Sequence, residues 1–213
     1  MKKYLNKYMN EDMKFDKETK LGIISLIIVI AGVFGWVYEF IFYYFNSGMK
    51  EFYYRGGNFL PWINIYAIGA LAIYFFTFKY RKKPLKVFLI SALATGILEL
   101  IAGWGMYTFC DGFRCWDYNS EILSYGSIGG FVCIRSVLFF GLSSLMFIYG
   151  IVPLCYYIAG KLNKKTFLII SFSLVGIFLF DEIYNLVLAR ILSLPRSSDI
   201  YKSIGFKYME FKK

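Results

Sequence analysis

Five ionisable residues lie inside stretches of the sequence that are otherwise apolar. They are Glu39, Glu99, Arg135, Asp181 and Glu182. A charged side chain within a membrane is costly, so it usually faces a partner or a cavity and marks a functional site. Carboxylates in such a place can act as general acid and base, bind a cation or carry protons, and spacing alone leaves these three chemistries open. The chain contains no histidine, which excludes imidazole catalysis and histidine zinc ligands. We expect no metal site and no cofactor.

The apolar stretches around these residues are long enough to cross a membrane. The chain has 213 residues and is 58% hydrophobic and 18% charged, whereas soluble domains are about 45–50% apolar and about 25% charged. A transmembrane helix needs about 20 mostly apolar residues, and lipid leaves no backbone group unpaired. The sequence therefore predicts an all-α, polytopic integral membrane bundle of about five transmembrane helices. The predicted spans cover about residues 21–45, 60–78, 85–109, 130–153 and 166–188. The short segment from Pro153 to Gly160 is interpreted as interfacial, unless it continues the fourth helix with a kink.

The distribution of lysine and arginine predicts the orientation, because cytoplasmic loops carry an excess of both. Six lysines precede Leu21, and the loops after the second span and before the fifth span are also basic. We expect a multi-pass protein of the cell (plasma) membrane, with the transmembrane domain 21–189 between a cytoplasmic tail 1–20 and a C-terminal tail 190–213. Five spans would place that C-terminal tail outside, although it holds six basic residues. The side of the membrane on which the C-terminal tail lies therefore stays undecided.

The net charge of +10 is explained by this bias and by anionic lipid. We expect membrane lipids as partners and no nucleic acid. The chain contains no GxxxxGK[ST] phosphate-binding loop, so any ATP hydrolysis must come from a separately encoded subunit.

The charged residues within the spans are predicted to lie in the outer half of the membrane. At about 1.5 Å per helical residue, Glu39 lies about 27 Å, Glu99 about 21 Å and Asp181 about 22 Å above the inner ends of their spans. Arg135 lies about 8 Å below the outer end of its span. Because the hydrocarbon core is about 30 Å thick, all four belong to one outer layer.

Helical spacing and the outer loops suggest how these groups are gathered. Gly32, Gly35 and Glu39 share a stripe on which small residues allow close approach, and Asp181 shares another with Asn185. The sequence predicts an outward-facing polar pocket with carboxylate acceptors, arginine counter-ions and aromatic surface. The candidate substrate-binding residues are Glu39, Arg55, Glu99, Trp116, Asp117, Tyr118, Arg135 and Asp181.

Two plainer interpretations compete with this pocket, and the pairing of two loop cysteines is a separate open question. Glu39 and Arg135 could form one buried ion pair that sets helix register. Trp62 and Trp104 could be anchors at the membrane interface. Cys110 and Cys115, which flank four residues of an outer loop, could be joined by a disulfide or remain two free thiols.

Several motifs occur in the order found in one bacterial family. They are GWVYE (residues 35–39), YRGGNFLPWINIYAIGAL (54–71), Glu99, RCWDYN (114–119) and GGFVCIRSVLFFG (129–141). This pattern resembles the ABC-transporter type IV permease family, also called CmpB-like. The family's NRG reads YRG here, and its PIYG reads NIYA. The resemblance implies a permease subunit, and the matching residues are Glu39, Arg55, Trp116, Asp117 and Tyr118.

The leading hypothesis is a permease-like membrane protein that binds or moves a polar or amphipathic solute, or a lipid. One alternative is an intramembrane enzyme that acts on an outer-leaflet lipid or envelope precursor with paired carboxylates. Another is a non-catalytic subunit of a membrane complex. With neither histidine nor an ATPase motif, catalysis is the less favoured interpretation.

Overall fold

The computed structural model describes residues 8–9, 14–46, 50, 52–109, 112, 114, 116–120 and 123–207. This part of the chain is helical and contains no named strand. The helices are α1 (Lys17–Asn46), α2 (Asn64–Thr77), α3 (Pro84–Phe109), α4 (Ile134–Met146), α5 (Val152–Lys161), α6 (Lys164–Ile183), α7 (Ala189–Ile191) and α8 (Ser197–Ser203). Short 3₁₀ turns lie at Phe78–Tyr80 and Tyr118–Ser120, and π turns lie at Phe147–Ile151 and Tyr184–Leu188.

Four of the helical stretches are long and apolar enough to cross a membrane. They are Lys17–Phe45, Pro84–Phe109, Ile134–Lys161 and Lys164–Ile191. The predicted class, an all-helical membrane protein, is confirmed. The count of about five is approximate, because the second predicted span contains a helix of only 14 residues, α2. Its first residues are irregular: the Ile63 backbone N–H donates to Gly32 on α1, 3.0 Å away.

The segment after Pro153 continues the fourth helix. A single helical stretch runs from Ile134 to Lys161, so the alternative of a continued helix describes this segment, and the interfacial interpretation does not. Proline has no N–H to donate to the carbonyl four residues earlier. The helix widens into the π turn just before Pro153, where the Val152 N–H donates to Phe147, five residues back.

The described residues fall into two compact units. The Glu99 unit contains residues 8–9 and 71–153, and the Asp181 unit contains residues 14–70 and 154–207. In the Glu99 unit, α3 packs on α4, where a Cβ at Gly141 would lie 2.7 Å from the Phe88 ring. In the Asp181 unit, α1 packs on α6. Each unit therefore contains one pair of long helices joined by small residues.

The glycine stripe on α1 allows the close approach that its spacing predicts. A Cβ at Gly32 would lie 3.1 Å from Trp62 and 3.1 Å from Phe178, and one at Gly35 would lie 2.1 Å from the Tyr66 ring. Trp62 is 4% exposed and packs on Phe178 with 5.2 Å between ring centroids. The suggestion that Trp62 anchors the membrane interface is therefore wrong, because the gap beside Gly32 admits this side chain to the core.

Candidate functional site

Asp181 on α6 holds the loop between α1 and α2, residues 52–63, which is called the first loop below. Its two carboxylate oxygens accept the backbone N–H groups of Phe59 at 2.9 Å and Leu60 at 3.0 Å. The Asn185 side-chain amide, one turn along α6, donates to the same carboxylate at 2.8 Å. The predicted stripe of Asp181 and Asn185 is thus confirmed. A buried carboxylate here compensates for backbone donors that an irregular loop leaves without helical partners.

Glu182, the next residue, binds the middle of the same loop and the first residue of α2. One of its oxygens accepts from the Asn58 amide at 2.7 Å, and the other accepts from the Asn64 amide at 3.0 Å. Asn58 is 2% exposed, and Asn64 is the first residue of α2. The candidate set omitted Glu182, Asn58 and Asn64. Glu182 was recognisable as a charge within a span, but no pattern in the sequence pairs it with two asparagines more than a hundred residues earlier.

Glu39 on α1 holds the start of the first loop through an ion pair. The Arg55 Nε donates to the Glu39 carboxylate at 2.6 Å, and the Arg55 guanidinium lies 3.8 Å from the Tyr43 ring centroid. The Trp36 indole donates to the Arg55 carbonyl at 3.2 Å. Glu39 therefore has an arginine partner, as the register alternative proposed, but the structure assigns that place to Arg55. The Arg55 side chain is 6% exposed and the Glu39 side chain 17%, so the acid is the more exposed partner.

Glu99 on α3 binds the second loop, residues 116–133, and the first turn of α4 through hydroxyl groups. The Tyr118 hydroxyl donates to one carboxylate oxygen at 2.5 Å, and the Ser136 hydroxyl donates to the other at 2.8 Å. Ser136 also accepts from the backbone N–H of Cys133, so the same hydroxyl starts α4. The Arg135 guanidinium lies 5.5 Å from the Tyr118 ring centroid. Glu99, Tyr118 and Arg135 are brought together as one cluster.

Trp116 and Asp117 stabilise the far part of the second loop. The Trp116 indole donates to the Phe131 carbonyl at 2.8 Å, and Asp117 lies 3.6 Å from Arg114. Gly130 has a φ of 79°, and a Cβ there would lie 2.3 Å from the Asp117 carboxylate. Glycine is therefore required at this point. Cys110 and Cys115 lie outside the described residues, so the question of their disulfide stays a prediction.

Both loops reach the middle of a spanning helix. Gly32, whose carbonyl accepts from the first loop, lies near the middle of Lys17–Phe45. Gly96, where a Cβ would lie 3.9 Å from Val132 of the second loop, lies near the middle of Pro84–Phe109. Irregular backbone at membrane depth is tolerated only where protein buries it or where it lines a water-filled cavity.

The eight candidate residues thus fall into one cluster in each unit. The Asp181 unit contains Glu39, Arg55 and Asp181, and the Glu99 unit contains Glu99, Trp116, Asp117, Tyr118 and Arg135. Within the described residues, no group of three or more Cys, Asp or Glu side chains is placed to hold a metal ion. The chemistry available is that of oxygen acceptors, guanidinium donors and aromatic rings.

Comparison with known proteins identifies a protein family for this chain. The family model described as "Putative ABC-transporter type IV" matches residues 26–186. The matched region contains all eight candidate residues. No curated protein and no solved structure matches the chain.

Proposed function

The chain belongs to the family described as "Putative ABC-transporter type IV", and from that premise we propose that it is a permease-like protein with an outward-facing binding site. The ligand is a polar or amphipathic solute, or a lipid. The protein lies in the cell membrane with its N-terminus in the cytoplasm, because the first tail and the loop after α2 are rich in lysine.

The single observation that supports this proposal best is the first loop at membrane depth. Discontinuous helices at that depth are a recurrent feature of transporter binding sites, since their free backbone groups and short helix ends recognise polar ligands. Here α2 begins at Asn64, beside Glu182, rather than at the membrane surface. Three carboxylates hold the irregular backbone in front of it.

We assign the ligand to the Glu39–Arg55 ion pair, which joins α1 to the first loop. Of the acids that hold the first loop, Glu39 has the most exposed side chain, and it lies nearest the outer end of its span. A ligand with a cationic or hydroxyl group would bind Glu39, and one with an anionic group would bind Arg55. Asp181 acts through the loop that it positions. In the other unit, Arg135, Asp117, Trp116 and Tyr118 offer a guanidinium, an acceptor and aromatic surface beside Glu99.

The test is the recovery of co-purified molecules from native membranes in a mild detergent, identified by mass spectrometry. We expect a polar or amphipathic molecule to be retained by the unsubstituted protein and to fall about 10-fold or more with Glu39→Gln, because a charge-assisted hydrogen bond contributes about 1.5–3 kcal/mol. Glu18→Gln is the matched control, since Glu18 also forms an ion pair, with Lys164, but at the other end of α1. Equal retention by all three proteins would overturn the proposal.

A second candidate, a non-catalytic subunit of a membrane complex, is favoured by a different observation. Both oxygens of Asp181 and one oxygen of Glu182 accept hydrogen bonds from the first loop, and the other Glu182 oxygen accepts from Asn64 at the start of α2. Acids engaged in this way stabilise a loop without binding a ligand. The same purification separates the two functions: an ATP-binding chain together with a Glu39-dependent molecule supports the permease, whereas partner proteins without any Glu39-dependent molecule support the subunit.

A further inference from the structure

The C-terminal segment, residues 190–207, folds back onto the first loop. The Ser197 hydroxyl donates to the Gly57 carbonyl at 2.7 Å, and the Tyr201 hydroxyl donates to the Phe59 carbonyl at 2.6 Å. The Tyr54 backbone N–H donates to the Lys207 carbonyl at 2.8 Å. Ser197 is fully buried. These contacts fix the segment at the same end of the Asp181 unit as the first loop.

The end of α6 fixes the segment a second time. The Ser197 backbone N–H donates to the Asn185 side chain at 2.8 Å, and the Tyr184 hydroxyl donates to the Pro195 carbonyl at 3.0 Å. The charge of the C-terminal tail did not determine on which side of the membrane the tail lies. The contacts assign residues 190–207 to the side of the first loop, which is the outer side in the orientation proposed above.

The segment carries the two properties of a chain that lies on a membrane surface. It contains four basic residues and one acidic residue, and Arg190, Arg196, Lys202 and Lys207 are all exposed. Large apolar side chains are exposed beside them: Ile191, Leu192, Ile204 and Phe206. Apolar side chains enter the boundary between head groups and acyl chains, while basic side chains bind anionic head groups.

We infer that residues 190–207 form a surface segment that binds the anionic lipid head groups of the outer leaflet. The segment starts at the end of Lys164–Ile191, the last helix long and apolar enough to span, and an end of a spanning helix lies beside the lipid head groups. This location favours a lipid surface over a protein partner. The bound segment would hold Ser197 and Tyr201 over the first loop, which connects lipid binding to the order of that loop.

The first measurement establishes the side. Ser203 is exposed on α8, and a membrane-impermeant maleimide should label Ser203→Cys in intact cells above the background of the unsubstituted chain. Lys82→Cys, in the loop after α2, is the control and should be labelled only after permeabilisation. Labelling of Ser203→Cys only after permeabilisation would overturn the inference.

The second measurement tests the lipid. Hydrogen–deuterium exchange of the full chain is compared in nanodiscs of phosphatidylcholine and in nanodiscs with about one-third phosphatidylglycerol. We expect exchange in residues 197–207 to slow about 10-fold with the anionic lipid, and the slowing to disappear in the triple variant Arg196→Gln, Lys202→Gln, Lys207→Gln. The control triple variant, Lys82→Gln, Lys83→Gln, Lys86→Gln, should retain it. Equal exchange in both lipids, or the same slowing in the first triple variant, would contradict the inference. Neither measurement depends on a ligand at Glu39.

Discussion

The two loops are built on one plan but are held by different chemistry. Each follows a long helix that carries a carboxylate, and each contains two adjacent glycines with positive φ, at residues 56–57 and 129–130. Each ends where the next helix begins, at Asn64 or Ile134. The acids that hold the first loop accept mostly from N–H groups, whereas Glu99 accepts from two hydroxyls, that of Tyr118 in the second loop and that of Ser136 in the first turn of α4.

This difference determines how each loop responds to a change at its acid. An N–H group can only donate, so Asp181 must present acceptors to Phe59 and Leu60. A hydroxyl can rotate and accept, so Tyr118 and Ser136 can adapt to a neutral partner at position 99. We therefore expect the first loop to need its carboxylates, and the second loop to tolerate an amide in place of the Glu99 carboxylate.

The largest expected effect is the contrast between Asp181→Asn and Glu99→Gln. An asparagine at 181 places an amide donor against one of two backbone N–H groups that need an acceptor. We expect it to lower the free energy of unfolding by about 2–4 kcal/mol, the cost of a buried donor left unsatisfied next to another donor. Glu99→Gln should cost about 1 kcal/mol or less, since both hydroxyls can reorient.

The measurement is thermal unfolding of both variants in the same detergent, with circular dichroism to show that helix content is retained. Asn185→Ala is a useful companion, because it removes a donor to Asp181 and the acceptor of the Ser197 N–H but leaves both Asp181 oxygens in place for the first loop. A larger loss of stability for Glu99→Gln than for Asp181→Asn would contradict the inferred difference between the two loops.

The next effect concerns small residues of α1 and α3 that pack against the helix following each loop. A Cβ at Gly35 would lie 2.1 Å from the body of the Tyr66 ring, whereas one at Gly96 would lie 2.9 Å from a methyl group of Val137. A ring can give way less than a methyl group. We expect Gly35→Ala to destabilise by about 2–3 kcal/mol and Gly96→Ala by about 1 kcal/mol.

Gly176→Ala provides the matched control for these two substitutions. Gly176 lies in α6, and nothing lies within 4 Å of an added Cβ. Because alanine favours a helix over glycine, this variant should be neutral or slightly stabilised in the same unfolding assay. If all three alanine variants behaved alike, close packing at Gly35 and Gly96 would be excluded as the cause.

The smallest effect concerns α8, which covers the first loop through Ser197 and Tyr201. The backbone N–H of Arg196 donates to Asp199 at 3.0 Å and, as the main cause, lowers the pKa of Asp199. The ionised acid therefore stabilises α8 above the ordinary aspartate pKa of about 3.9, and this contribution is lost as pH falls through the lower folded-state pKa. Asp199→Asn should lower the free energy of opening α8 by only about 0.3 kcal/mol at neutral pH, because a half-exposed ion pair contributes little.

The measurement for this last effect is hydrogen exchange of residues 197–203 in the two proteins across the acid range. The wild-type advantage should shrink below about pH 4. An advantage that stays constant down to pH 2 would contradict the assigned role of Asp199. Asp16, just before α1, is a second aspartate of this kind: the backbone N–H of Thr19 is the main cause that lowers its pKa.

Much of the fold and part of the candidate clusters could be predicted from local pattern. Runs of apolar residues are sufficient for the helical membrane class, and the four long helices agree with it. The stripes of Gly32 with Gly35 and of Asp181 with Asn185 follow from helical spacing. The partners of Glu182 could not be predicted, because Asn58 in the first loop and Asn64 at the start of α2 contact α6 only after the chain has folded.

The sequence by itself determined which residues are too polar for the membrane and that no histidine is present to act among them. It did so because the cost of a charge in lipid depends on residue type and approximate depth alone. Only the tertiary structure decided that Glu39 binds Arg55, that Asp181 and Glu182 hold the first loop, and that residues 190–207 lie beside that loop. Partner choice for buried polar groups depends on which donors are brought within about 3 Å, and distant parts of the chain come that close only through folding.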